Sequence, residues 1–388
     1  MAVLNTSSTL KLYIIAGEAS GDLHGSNLIK ALRARHDSLD IRAWGGDLME
    51  SAGAQIVKHY RDLAFMGFYE VLLNIRTILG NIRFCKNDIT GYRPDALILI
   101  DYPGFNLRIA RWAHEQKIPV LYYIAPQVWA WKESRIHAMR KHIHHLFVVL
   151  PFEKEYFEKH HMPVTFVGHP LLDQISTSSE TKEDFKRNNK LNQKPIVALL
   201  PGSRKQEIKT MLPIMLEVTE RFPEYQFVVA GAPSQTESFY LSVAQGKSLT
   251  ILFGKTSEIL RHADAGLVTS GTATLEAGIY QVPQVVCYKG SSISYAIAKK
   301  LVKIRYISLV NLILNRAAVT ELIQHDLTPK NLEKHLRELL FSKPTIKQLQ
   351  LDYRELHDAL GGQGASDRTA NSMLKIIESF SVSRQARS

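Results

Sequence analysis

The sequence predicts an α/β protein of two Rossmann-like domains facing each other across a cleft. Three observations predict it. The chain has 388 residues, which at about 150 per domain is enough for two. Short apolar runs alternate with helix-length patterns from end to end, the rhythm of a parallel sheet with helices on both faces. Between two such series, residues 173–194 hold a Ser/Thr run and then Lys, Arg, Asn and Gln, with almost nothing to bury. That segment reads as an interdomain linker with a charged helix in it.

The elements come in this order. Leu10–Ala16 reads as a buried strand, the turn Gly17–Asp22 comes next, and a helix runs from about Leu23 to His36. Ile41–Trp44 is a second strand, ending at Gly45-Gly46, and an amphipathic stretch runs from Phe68 to about Lys86. Pro94 precedes the strand Ala96–Ile100, and a helix from Leu107 to Gln116 leads to the strand Val120–Ile124. Strands at His145–Leu150 and Val164–Val167 enclose a helical Phe152–Lys159. The second series has strands at Ile196–Leu200, Gln226–Ala230, Thr250–Phe253, Ala265–Thr269 and Gln284–Tyr288, and beyond Pro329 the pattern is purely helical. The expected domains are therefore 1–172 and 195–345. Residues 346–388 form C-terminal helices, for which packing back on the first domain is one option.

Composition narrows the function classes. Hydrophobic residues at 45% and charged residues at 22% exclude a disordered, collagenous or fibrous chain. Two cysteines, Cys85 and Cys287, exclude a disulfide framework and a four-thiolate metal site, and fit a reducing compartment. No apolar run reaches the roughly 18 residues of a spanning helix; the best, Tyr306–Val319, is broken by Asn311, Asn315 and Arg316. The N-terminus lacks a basic region and Lys11 interrupts its apolar stretch, so a signal peptide is not expected. The 48 Lys+Arg against 37 Asp+Glu give +11, which favours anionic partners: nucleic acid, anionic lipid or a phosphorylated substrate.

In open α/β sheets ligands bind beyond the carboxyl ends of the strands, so the turns there carry the candidates. Gly17-Glu18-Ala19-Ser20-Gly21-Asp22 is not a dinucleotide fingerprint. Gly17 and Gly21 allow a ligand or another backbone to approach, and Ser20 or Asp22 suits a cap of the next helix; a capped turn with no ligand is the alternative. Asp101 lies where its strand runs out, placed to take a proton from a hydroxyl unless neighbouring backbone N–H groups satisfy it. Leu200-Pro-Gly-Ser-Arg204 puts Arg204 near a helix N-terminus, where dipole, free N–H groups and guanidinium together suit a phosphate; Ser203 suits the cap. Ser270, Gly271 and Thr272 repeat that layout, and Glu276, one helical turn on, suits two ribose hydroxyls. Trp129 and Trp131 suit either sugar stacking or a core. His142, His144, His145, His160 and His161 match no metal spacing and read as surface or interface residues, so no metal is expected.

Taken in order, Ala16–Asp22, Met66-Gly67, Pro126-x-Val-Trp-Ala-Trp131, Leu150-Pro-Phe-Glu153, Gly168-His-Pro170, Leu200–Arg204 and Ser270–Glu276 resemble the lipid-A-disaccharide synthase family, from about Leu12 to Ile377. The resemblance implies a B-type glycosyltransferase that inverts its anomeric centre without metal or cofactor. It would join UDP-2,3-diacylglucosamine to 2,3-diacylglucosamine 1-phosphate (lipid X), giving UDP and the β-1,6-linked disaccharide. The family's proposed base falls on Asp101. Its diphosphate arginine falls on Arg204, and its UDP-site glutamate on Glu276. The family's Ser-Leu-Pro-Asn segment is Ser308-Leu-Val-Asn311 here, which brings Asn311 into the UDP set without the proline. Where the family often has Pro-Asp-Phe-Asn this chain has Pro103-Gly-Phe-Asn106, leaving Asp101 the sole carboxylate of its segment.

Acylated substrates imply a peripheral protein at the cytoplasmic face of the inner membrane. After Met66-Gly67, Phe68, Val71, Leu72, Ile75, Ile78, Leu79 and Ile82 share one helical face, flanked by Arg76, Arg83 and Lys86. That face is expected either on an anionic membrane, through Phe68, Leu72, Ile75 and Leu79, or in the core of its own domain. Another sugar-nucleotide enzyme of the same fold, such as a UDP-N-acetylglucosamine epimerase, is the rival reading. Nucleic acid is not an expected partner, because Lys and Arg are spread along the chain and form no recognition motif; a homodimer stays open.

Overall fold

The apolar runs are strands whose neighbours lie on both faces, which is why they do not alternate with polar residues. The structure is a computed structural model describing residues 9–63, 75–130, 134–175, 179–290 and 305–385. It divides into two compact units: the chain up to Gln174 together with Leu360 onward, and Ile175–Ala359. Both are α/β units built on a parallel sheet.

In the first unit β1 (Leu10–Ala16), β2 (Leu39–Gly45), β3 (Gln55–His59), β4 (Ala96–Ile100), β5 (Val120–Tyr123), β6 (His145–Val148) and β7 (Val164–Phe166) stand in the order β3-β2-β1-β4-β5-β6-β7. All five residues of β4 are buried. One face packs Tyr13, Trp44, Leu97, Leu99 and Tyr122 against the helices Ile75–Tyr92 and Pro103–Glu115, through Ile89, Phe105 and Ile109. A chain of hydrogen bonds runs through this core: Trp44 Nε1 donates to Tyr13 Oη (2.9 Å), Tyr13 Oη to Asp88 (2.8 Å), and Arg42 holds both oxygens of Asp88. The last helix, Ala365–Gln385, packs on the helix Ala19–Arg33. Asp173 fixes its start by accepting from the backbone N–H groups of Gly364, Ala365 and Ser366.

In the second unit β8 (Ile196–Leu200), β9 (Gln226–Gly231), β10 (Thr250–Phe253), β11 (Ala265–Thr269), β12 (Gln284–Tyr288) and β13 (Thr320–Ile323) stand in the order β10-β9-β8-β11-β12-β13. Each sheet thus reverses its winding once, between β1 and β4 and between β8 and β11. These reversals are where such sheets open a crevice beyond their strand ends.

Several expectations need correction. Residues 173–194 carry the expected charged helix, Lys182–Asn188, but it is packed rather than solvated: it buries Phe185 in the core of the second unit, and Lys182 pairs with Asp264 at 2.7 Å. One aromatic was enough to anchor a segment that composition made look solvated. The helix Lys343–Ala359 belongs to the second unit, where Tyr353 Oη donates to Val282 O (2.8 Å) and Arg316 reaches Asp352. The first helix begins at Ala19, not Leu23, because Gly21 lets it lie on β1: a Cβ there would be 3.1 Å from Ala16 Cβ. The edge strands β3 and β13 were not foreseen; both carry polar residues, as strands with one free edge do. Met66, Gly67, Phe68, Val71, Leu72 and Trp131, and the side chain of Ile75, lie outside the described residues. No helix of the described residues is long and apolar enough to cross a membrane.

Candidate active site

At the reversal of the first sheet the chain leaves β1 through Gly17 and Glu18, and leaves β4 through Asp101 and Tyr102. Asp101 and Tyr102 both take left-handed backbone conformations, φ 44° and 50°. For side chains with a Cβ this costs on the order of 1 kcal/mol or more each, so the surroundings must impose it. They do: the Asp101 carbonyl accepts from Tyr122 Oη (2.5 Å) and Asn106 Nδ2 (2.7 Å), and its N–H donates to Tyr123 O (3.1 Å). Pro103, with φ fixed by its ring, starts the following helix at once. The turn thus aims a carboxylate out of the strand end and holds it there.

Burial pushes the Asp101 carboxyl up to about 6; the negative charge of Glu18 adds to the rise, and the Tyr102 N–H that bonds it works the other way. A group poised there is half neutral at about pH 6 and mostly ionised at pH 7, where it can receive a proton. Sequence reading found Asp101 and Glu18 separately, but not their coupling across two strand ends. It also missed Tyr102, Asn106 and Tyr122, which shape the turn; the signal available was their position around Asp101, just after β4, in the next helix and in β5.

The remaining residues of the first turn divide. Gly17 is buried, while Glu18 and Ser20 are exposed, and Glu18 rather than Ser20 or Asp22 occupies the helix N-cap. Asp22 faces inward and accepts from the backbone N–H groups of Gly46 (2.7 Å), Leu48 (3.2 Å) and Met49 (3.1 Å). It therefore caps the short helix Asp47–Ser51 after β2, not its own.

At the reversal of the second sheet, Gly202 has φ +109°, which favours glycine, and a Cβ there would lie 2.6 Å from Glu207 Oε2. Arg204, not Ser203, is the N-cap of the helix Lys205–Leu216. The N–H groups of Ser203 and Arg204 both donate to Glu207 (3.2 Å each) and are therefore not free for an anion as the sequence suggested; Glu207 also lies 3.4 Å from the exposed Arg204 guanidinium. Gly271 is exposed, with open space where a Cβ would stand, and Thr272 stands beside it at the start of the helix Thr272–Ile279. Ser270 Oγ is already spent on Ile307 O (3.0 Å). Glu276 is held through one oxygen by Ser257 Oγ (2.9 Å), and burial raises its carboxyl above the usual range.

Asn311 differs from the sequence expectation. It is fully enclosed: its amide nitrogen donates to Val319 O and Glu321 (2.9 Å each), and its oxygen accepts from the Val319 N–H (2.9 Å). Glu321 also accepts from Ile307 N, Ser308 N and Ser308 Oγ, so Asn311 serves the segment rather than a ligand. Trp129 donates to the buried Glu153 (3.0 Å) and stacks edge-on against Phe152. Burial raises Glu153 to about 7.

Known proteins agree with this architecture. The chain is similar to a UDP-GlcNAc 2-epimerase from Neisseria meningitidis at TM-score 0.68 and 13% identity, covering 94% of this chain and 100% of that one. It is similar to the glycotransferase of kitacinnamycin at 0.63 and 14%, covering 95% and 99%. These likenesses concern the fold. In sequence it is 36% identical to the lipid-A-disaccharide synthase of Syntrophus aciditrophicus over 94% of this chain and 97% of that protein. It is 34% identical to that of Myxococcus xanthus over 95% and 97%. The family model described as lipid-A-disaccharide synthetase matches residues 12–376, so the chain belongs to the lipid-A-disaccharide synthase family and is a glycosyltransferase of lipid A biosynthesis.

Proposed function

We propose that the chain transfers 2,3-diacylglucosamine from its UDP donor to the 6-hydroxyl of 2,3-diacylglucosamine 1-phosphate, inverting the anomeric centre. The observation that carries this reading is Asp101: a carboxylate in an imposed left-handed turn at a strand end, raised to about 6. In the proposed step the acceptor oxygen bonds to the anomeric carbon as the bond from that carbon to the diphosphate breaks. UDP leaves with the electron pair, and the acceptor proton passes to Asp101.

Arg204 is assigned to the departing diphosphate, where charge develops, and Glu276 to the ribose. Gly271 and Thr272 offer an open start to the helix that carries Glu276. Asp22 and Asn311 are assigned no contact with substrate, because their hydrogen-bonding groups are engaged internally.

A peripheral position on the cytoplasmic face of the inner membrane belongs to the same reading. The helix Ile75–Tyr92 exposes Leu79 and Phe84 beside Arg83 and Lys86, a combination that suits an anionic bilayer surface. The test is direct. Purified protein is incubated with both substrates, and UDP and disaccharide are sought by mass spectrometry. UDP-sugar turnover without a disaccharide would sink the reading.

A further inference from the structure

Beside the proposed base lies a cavity of about 570 Å³, within the size range of small-ligand sites. Tyr102 and Pro103, the residues that follow Asp101, form one wall. Leu63, Ile78, Phe105 and Leu107 make an apolar lining, and Arg108, Arg111 and Arg135 stand around it with no carboxylate among the described lining residues. Arg108 and Arg111 are exposed, and Arg111 pairs with Glu115 on its own helix at 3.2 Å. Such an exposed pair is weak and readily exchanged for a better anion.

A cavity with this lining suits a ligand that is apolar along most of its length and anionic at one point. A free phosphate gains nothing from the leucines, and a neutral lipid gains nothing from the arginines. We infer that this cavity, with Arg108 and Arg111 at its rim, is the subsite for an acylated sugar phosphate: the arginines hold the phosphate, and the apolar lining holds part of an acyl chain. The inference rests on the reaction proposed above, and gives its acceptor a place beside Asp101. Arginine suits the task because its planar fork bonds two phosphate oxygens at once.

The experiment has a binding arm and a kinetic arm. In the first, monomeric dodecyl phosphate and the neutral dodecyl glucoside are titrated into wild type, Arg108→Ala/Arg111→Ala and Ala138→Trp. Ala138 lines the cavity and is exposed, so tryptophan there fills the space without entering the core. The double arginine variant should bind dodecyl phosphate about 10-fold or more weakly and leave dodecyl glucoside unchanged. Ala138→Trp should weaken both. Dodecyl phosphate that fails to bind wild type, or binds all three proteins alike, overturns the subsite.

In the kinetic arm the same variants should raise KM for the acylated sugar 1-phosphate while KM for the UDP donor stays put. Turnover with an unchanged acceptor KM in both variants overturns the subsite and leaves the reaction standing. A wild type that makes no disaccharide, yet shows the binding pattern above, overturns the reaction and leaves the subsite standing.

Discussion

The ring of Tyr102 lies across the backbone of Gly17, so close that a Cβ on Gly17 would fall 2.3 Å from Tyr102 Cδ1 and 2.4 Å from Cγ. The end of β1 and the turn after β4 are thus fitted to each other, one residue before Glu18 and one after Asp101. Gly17→Ala should therefore displace Tyr102 and with it the imposed turn at Asp101. The expected result is a fall in kcat of about 10-fold or more, since small misplacements of reacting groups cost that much. Activity within two-fold of wild type would mean that the turn does not depend on this contact.

Asp101 as base predicts a pH limb. The carboxylate is the active form, so kcat/KM should rise as pH rises through about 6 and level off above it. Asp101→Asn should remove the limb and lower the rate by about 10²–10⁴. Glu18 raises the Asp101 pKa by like charge, so Glu18→Gln should move the limb to lower pH. A limb that stays in place in Glu18→Gln means another group titrates.

Arg204 and Glu276 should separate in kinetics. Arg204→Ala should lower UDP affinity by about 10-fold or more and also slow turnover, because the charge it meets grows as the diphosphate departs. Glu276→Ala should chiefly raise the donor KM, since ribose contacts are alike in ground and transition states. Ser257→Ala, which only orients Glu276, should have a smaller effect in the same direction. Calorimetry with UDP checks all three, and equal affinities would move the donor site elsewhere.

Leu79 is 60% exposed and Phe84 47%, on the helix that also carries Arg83 and Lys86. Leu79→Ser/Phe84→Ser should release the protein from anionic vesicles in a flotation assay, and added salt should weaken wild-type binding as it screens the basic residues. The melting temperature of Leu79→Ser alone should shift by no more than about 2 °C, since exposed side chains contribute little to stability, while Phe84, whose ring lies 6.1 Å from that of the buried Trp44, should cost somewhat more. Unfolding of the double variant would assign these side chains to the core.

What the sequence made legible was whatever depends on short windows. The strands Ala96–Ile100 and Ile196–Leu200 are apolar at every position and were found with the same ends. Asp101 was legible from its place at one of those ends. What stayed hidden depends on partners far along the chain. Asp22 read as a cap for the helix that follows it, because the donors it actually meets, Gly46, Leu48 and Met49, lie in another part of the chain. Asn311 entered the UDP set through the family resemblance of its segment, whereas its actual partners, Val319 and Glu321, lie beyond that segment. Phe185 lies in a run whose composition offers almost nothing to bury, yet it decides where that run packs.

In the segment around Asn311, Val310 stands at the position of the family's proline. A proline would stiffen this segment before folding, by removing backbone states from the unfolded chain. Here Ile307, Ser308 and Asn311 instead send their donors to the single carboxylate of Glu321. Order is thus supplied after folding, by enthalpy and by one charge, and it can be withdrawn at one position. Glu321→Ala would free several donors at once, whereas a segment stiffened by proline would keep its shape through the loss of any single partner.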